Sequence, residues 1–300
     1  MAAAIIIPTP RPIRLALILF VLLPFAVSAQ SEGLKVSVGI GVLRPSDKHA
    51  NFYNGSPQNE NDMMRIIHSE QYGHEIWNNL TEQGLITDAV SSYSQLSVAE
   101  YGNMHYRLSV LLSVGLRYDW PSGWGWLSRI DFSKLNAVGA FNLSATNGTG
   151  VLSNASQYVR CGISGEERRI NIDLGVSKSL SPKSPSGFAV NAGLNINNSK
   201  VEHNDMEIAG KSYDIRDIWN GQAPYYGSTA YEYINQGGLG LGGFAGLEYR
   251  WQLTTTMAVT LGATAHYSNI ALSGYEGYAL HSQFTLKIEI GDFSFLDLEE

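Results

Sequence analysis

A serine, a histidine and a carboxylate brought together make an acyl-transfer or hydrolytic centre, and the histidines of this chain are the residues that could supply its base. Of its seven histidines, His105, His203, His266 and His281 fall near the outer ends of expected strands, and serines are plentiful. No local motif marks a nucleophile or base among them, so a surface hydrolase or acyltransferase is the alternative reading. His68 and His74 lie close to Glu70 and Glu75, but that spacing does not put both rings on one helical face, as a metal would need. The single cysteine, Cys161, cannot form an intrachain disulfide and has no histidine motif beside it, which fits an inert buried thiol. No catalytic residue, metal ligand or cofactor is therefore assigned.

A second set of residues points to electrostatics. Lys35, Arg107, Arg129, Asp131, Arg169, Asp173, Glu248, Arg250, Lys287 and Glu289 recur in rows otherwise made of Gly, Ser, Asn and Thr. Both signs are present, as charges need if they are to be paired away from water. The expectation is a network that fills and stiffens an enclosed interior, in preference to a proton or ion path.

Strands must position that network. In GLKVSVGIGV, residues 33 to 42, Leu34, Val36, Val38, Ile40 and Val42 alternate with Lys35, Ser37, Gly39 and Gly41, a period of two. The same ruler finds the apolar row Tyr106, Leu108, Val110, Leu112, Val114, Leu116 and Tyr118, and a return strand carrying Trp124, Trp126, Ile130 and Phe132. Further rows are Ile170–Val176, Phe188–Ile196, Leu239–Tyr249, Met257–Tyr267 and Leu280–Ile290. Eight strands result, all within residues 33–291. Short turns at Pro121, Ser181 and Gln252 alternate with long loops at 43–104, 142–167 and 197–238, the habit of transmembrane barrels.

Which row faces outward is decided by composition. A soluble ligand-carrying barrel would expose a row rich in Lys, Glu and Gln, whereas the polar row here is small and sparsely charged. The apolar row ends in Trp120, Trp124, Trp126, Phe188, Tyr249 and Trp251, as interfacial aromatic belts do. The expected fold is all-β: an eight-stranded antiparallel up-and-down transmembrane β-barrel with partly helical extracellular loops. Leu34 and its row face lipid; Lys35 and its row face the lumen. Eight strands leave a lumen filled by side chains, which disfavours a porin.

Residues 1–29 read as a cleaved signal peptide: Arg11 and Arg14, an apolar run from Leu15 to Val27, then Val27-Ser28-Ala29. The barrel domain is expected over residues 30–300, in the outer membrane, with outer-membrane lipids as surroundings. Acidic residues exceed basic ones, 27 to 20, which argues against nucleic acid. The long first loop contains Met63, Ile66, Ile67, Ile76, Trp77 and Leu80 at mostly helical spacings. It is the candidate surface for a protein partner, with a self-packed lid as the other expectation. A third loop rich in Tyr and Trp, and sequons at Asn54, Asn142 and Asn147, complete the inventory.

Together these features resemble the small outer-membrane β-barrel families of Gram-negative bacteria across residues 33 to 291. More narrowly, the first strand running into ANFYNG and then NENDMMRII is similar to the plug subunit of the type 9 protein translocon of Bacteroidota. That resemblance implies a partner in an outer-membrane secretion complex and no enzyme activity. One departure is the ending, since the chain continues past Phe295 into Leu-Asp-Leu-Glu-Glu where many such barrels end on an aromatic residue. The sequence is thus expected to encode a non-enzymatic binding or structural component of the outer membrane, with a subunit of an outer-membrane protein complex such as a secretion translocon as one form of it; a surface enzyme or an adhesin is the alternative.

Overall fold

The computed structural model describes residues 33–57, 61–86, 90, 92–145, 158–181, 186–218 and 236–291. The strands in chain order are β1 (Leu34–Arg44), β2 (Leu96–Tyr101), β3 (His105–Tyr106), β4 (Ser109–Asp119), β5 (Trp124–Ala145) and β6 (Tyr158–Ser179). They are followed by β7 (Gly187–Ile208), β8 (Lys211–Asp214), β9 (Gly237–Gln252), β10 (Met257–Ser268) and β11 (Ala279–Gly291). Three α-helices, α1 (Asp47–Ala50), α2 (Met63–Ile67) and α3 (Glu70–Glu82), lie in the first long connection. The expected leader, the sequon at Asn147, the aromatic stretch 219–235 and the C-terminal tail from 292 lie outside the described residues.

Antiparallel pairing runs β1-β4-β5-β6-β7-β9-β10-β11, and β11 pairs back onto β1, so the sheet closes into an eight-stranded barrel. Closure leaves no ring strand with an open edge. The first strand sits between its two neighbours with Leu34 opposite Tyr118 and Lys35 opposite Gly291. Val38, Ile40, Val42, Leu112, Leu194, Leu261 and Phe284 point outward and are exposed, whereas Ser113, Asn195, Thr260 and Thr285 point inward and are buried. The expected facing of the two rows is thus the observed one.

Three strands are far longer than the ring needs. β5, β6 and β7 have 22 residues each against 11 in β1, and their upper halves rise beyond the ring as a flange. β2 and β3 pair with one side of it and β8 with the other. Much of the expected loops 142–167 and 197–238 is therefore strand. The reason is an inversion of pattern. Within the ring the inward row is polar; above it the inward row becomes Leu135, Ala137, Phe141, Leu143, Cys161, Ile163 and Met206, all buried. The outward row meanwhile becomes Lys134, Asn136, Arg168 and Lys200. An apolar face that changes sides ends the outward pattern while the strand itself continues.

A bulge causes a second correction. Tyr106 pairs with Ala137 but Leu111 pairs with Ser133, so five steps on one strand face four on the other. The extra residue flips the parity. Tyr106 is buried inside, not on the outer row, and Arg107 is exposed outside, not in the lumen.

Candidate functional site: the capped mouth of the barrel

Side chains fill the lower lumen in ion-paired clusters. Asp173 binds Arg129 and also accepts from Asn195 at 2.7 Å, with the His266 ring at 2.9 Å. Arg129 Nε lies 3.2 Å from Asp131, which accepts from Gln283 at 2.9 Å. Glu248 holds Lys287 and approaches Arg117 at 3.4 Å. Near the short turns, Asp119 gathers Lys35 at 2.5 Å and Arg117 at 2.7 Å, while Arg250 reaches Glu289 at 3.2 Å. Nine of the ten proposed lumen residues thus point inward: Lys35, Arg129, Asp131, Arg169, Asp173, Glu248, Arg250, Lys287 and Glu289. Removing one partner of a buried pair strands the other, at a cost of about 3–5 kcal/mol.

At the top of the lumen the polar filling meets an apolar cap. Glu167 is wholly buried and binds Arg169 through one oxygen. Its other oxygen accepts from the Tyr53 hydroxyl at 2.7 Å and from Tyr106 at 2.9 Å. The Arg169 guanidinium lies 5.8 Å from the centre of the Tyr106 ring. Tyr53 reaches this position because it packs closely on Gly165, where an added Cβ would come within 2.1 Å of its ring. Gly55 follows with φ +68°, a left-handed turn that glycine adopts without strain, and it seats against Met63.

Local sequence explains the cap. Ser46, Asp62 and Ser69 each accept from a backbone N–H at the start of α1, α2 and α3, the usual N-terminal capping. In α3, Gly73, Ile76 and Leu80 recur on the buried face. Met63, Ile66, Ile67, Ile76 and Leu80 are wholly buried against the flange's inner face, and Trp77 is partly buried, its indole N–H donating to the Val90 carbonyl at 2.9 Å. These six side chains form a core and are not offered to a partner. The self-packed lid is the arrangement found.

Further ties hold the lid to the ring. Asp47 accepts from the Tyr106 N–H at 3.0 Å, and Asn51 accepts from the Met104 N–H at 2.9 Å. His49 Nε2 donates to the Gly277 carbonyl at 2.8 Å, and its ring stacks on His281 with centroids 5.2 Å apart. The Ser46 N–H in turn donates to His281 Nδ1 at 3.1 Å. Burial pushes the His49 pKa down to about 4, although the carbonyl of Gly277 opposes the shift. Sequence reasoning passed over Tyr53, Glu167 and His49. Glu167 had a readable signal, since it shares the parity of Arg169 and Asp173.

The histidines do not converge on a nucleophile. His105 and His203 are exposed, while His266 and His281 are buried as direct cross-strand partners on β10 and β11. Among the described residues no serine hydroxyl is hydrogen bonded to either buried ring. His68 Nε2 donates to the Leu96 carbonyl at 2.8 Å, and His74 packs edge-on against Tyr93. A cluster not foreseen, His203, Asp205 and Asp214, brings its ligand atoms within 4.8 Å of one another on the flange. Arg216 already engages both oxygens of Asp214, at 2.7 and 3.1 Å, which neutralises that carboxylate as a metal ligand.

No known protein family matches the chain, and no curated protein does. Among solved structures, Neisserial surface protein A (NspA) is similar over 88% of this chain and 100% of its own, at 8% identity and a TM-score of 0.38. Ail, the attachment invasion locus protein of Yersinia pestis, solved with the heparin analogue sucrose octasulfate, covers 86% and 98% at 10% identity and a TM-score of 0.35. The translocator domain of the autotransporter NalP from Neisseria meningitidis covers 94% and 96% at 8% identity and a TM-score of 0.24. Likenesses this distant carry no argument about function. The barrel stands on its own strand pairing.

Proposed function

We propose that this protein is a sealed, non-enzymatic barrel of the outer membrane that presents a rigid helical lid to a protein partner, as a subunit of an outer-membrane complex. The observation that carries the reading is the two-storey build: an exposed apolar girdle around a polar, ion-paired lumen, surmounted by an apolar-packed cap with a charged exterior. Lipid is the solvent that makes an exposed apolar girdle favourable, and a closed barrel satisfies every backbone group within it. Trp120, Trp124, Phe188, Tyr249 and Trp251 are exposed near the short turns, where an interfacial belt belongs. Among the described residues no helix is long and apolar enough to cross a membrane, so crossing falls to the strands.

The likeness of ANFYNG and NENDMMRII to the type 9 translocon plug subunit supports a place in a secretion complex. The segment supplies Tyr53, with Phe52 edge-on to it, to the Tyr53–Glu167–Tyr106 latch between lid and barrel, and Met63, Ile66 and Ile67 to the lid core. A partner would meet the opposite face, where Glu70, Gln71, Glu75, Asn78 and Glu82 of α3 are exposed. Photo-cross-linkers at Gln71 and Asn78, activated in intact cells, should give one discrete protein adduct. Reversing Glu70 and Glu82 to Lys should remove it while the barrel stays folded. Absence of any adduct from correctly inserted protein would refute the partner-binding role.

A further inference from the structure

The outward rows of five consecutive ring strands end alike. Moving away from the short turns, the apolar row closes with Arg44 on β1, Arg107 at the bulge before β4, Lys134 on β5, Arg168 on β6 and Lys200 on β7, all exposed. Lys134, Arg168 and Lys200 are direct cross-strand partners. Like charges opposite one another destabilise a sheet, so the row calls for anionic partners. Glu166 engages Lys134 at 2.6 Å and Glu202 engages Arg168 at 2.9 Å, both carboxylates coming from the flange side. Lys200 has no ion pair among the described residues. The side of the row toward the girdle, where Phe132 and Ile170 follow, carries no acid.

Depth supplies an independent argument. Trp124, at the aromatic end of β5, and Lys134 are ten residues apart on one strand. At about 3.3 Å per residue and a tilt near 40° this is about 25 Å of height, the height of the apolar band of an outer-membrane barrel. Arg168 and Lys178 are separated by the same interval on β6. The basic row therefore lies at the far edge of the girdle, one band-height from the aromatic belt, in a chain whose formal charge is −7.

We infer that Arg44, Arg107, Lys134, Arg168 and Lys200 form an outward-facing site for the phosphate groups of anionic lipid in the leaflet on the lid side. Arg and Lys are the donors suited to phosphate, and the girdle below would receive the acyl chains of the same molecule. The inference rests on the membrane reading above, and its test separates the two.

Wild type and the Lys134→Gln/Arg168→Gln/Lys200→Gln variant would be reconstituted into phosphatidylcholine vesicles containing diphosphoryl lipid A or the same lipid with its phosphates removed. Lipid retained after gentle extraction would be counted by native mass spectrometry. Wild type should retain the phosphorylated lipid selectively. The triple variant should lose that selectivity at least about tenfold, since each basic side chain near an anionic surface contributes roughly fivefold. Glu166→Gln/Glu202→Gln, which frees two cations, should raise retention. Equal retention by wild type and triple variant, or stripping of the lipid by millimolar inorganic phosphate, would overturn the lipid site while leaving membrane insertion intact. Failure of wild type to insert into either vesicle would overturn both readings.

Discussion

Glu167 is the residue on which the two storeys meet. It lies between the polar lumen and the apolar lid, and three of its four oxygen lone-pair directions are taken by Arg169, Tyr53 and Tyr106. Tyr53→Phe removes one charge-assisted bond, a loss of about 1–3 kcal/mol. Gly165→Ala acts on the same contact by steric means, because its Cβ would displace the Tyr53 ring. Both variants should leave the barrel heat-modifiable on gels yet speed tryptic cleavage at exposed Arg65 in α2; unchanged cleavage would show that the latch does not hold the lid. His49 gives the latch a pH dependence. Its folded value, about 4, is below the ordinary 6.5, so the opened lid binds a proton that the closed lid refuses. Lid stability is full above pH 6.5 and falls as pH drops through the window down to about 4. The charges that face His49 are Arg169, Glu167 and Lys48; a proton on it would also sit against the His281 ring. Hydrogen exchange of residues 47–53 should lose protection across that window, and His49→Gln should flatten the profile.

The ring strands were legible in the sequence because each keeps one apolar side and one polar side throughout the girdle. Val38, Leu112, Leu174 and Leu286 could be assigned outward, and Ser113, Asp173 and Lys287 inward, from parity alone. The flange was not legible, because at Lys134 and Arg168 the apolar face changes sides, and a ruler that seeks outward apolar residues reads the inverted pattern as loop. A local insertion misled the same ruler at Arg107, where one extra residue exchanges inside for outside. The lid helices showed in the spacing of Met63 to Leu80, yet whether they packed inward or waited for a partner depended on the flange behind them. Leu112 is 57% exposed and Ser113 is 1% exposed. Leu112→Arg should impair folding into lipid vesicles by about 2–4 kcal/mol if mid-band, whereas Ser113→Arg should act through crowding of the lumen in detergent and lipid alike. Equal folding of Leu112→Arg and wild type would reverse the assignment.

At the scale of the molecule, two cores of opposite character are stacked on one another. The lower interior is polar and ion-paired with an apolar exterior; the upper interior is apolar with a charged exterior. Water outside the upper storey and lipid outside the lower one reconcile both with a single set of rules for burial. The lumen clusters and the latched lid place side chains across the path through the barrel, consistent with an interior only wide enough to be filled. The boundary between storeys is also where the basic row lies. On this arrangement lipid surrounds the lower storey and stops near Lys134. Spin labels placed singly at Leu112, Leu174, Leu261, Phe284 and Lys134 of the protein reconstituted in vesicles, with Cys161 replaced by Ala, test it directly. The first four labels should collide readily with apolar oxygen and be shielded from a polar nickel chelate, with the balance turning toward the chelate at Lys134. Chelate accessibility at all five positions, equal to that in water, would contradict it.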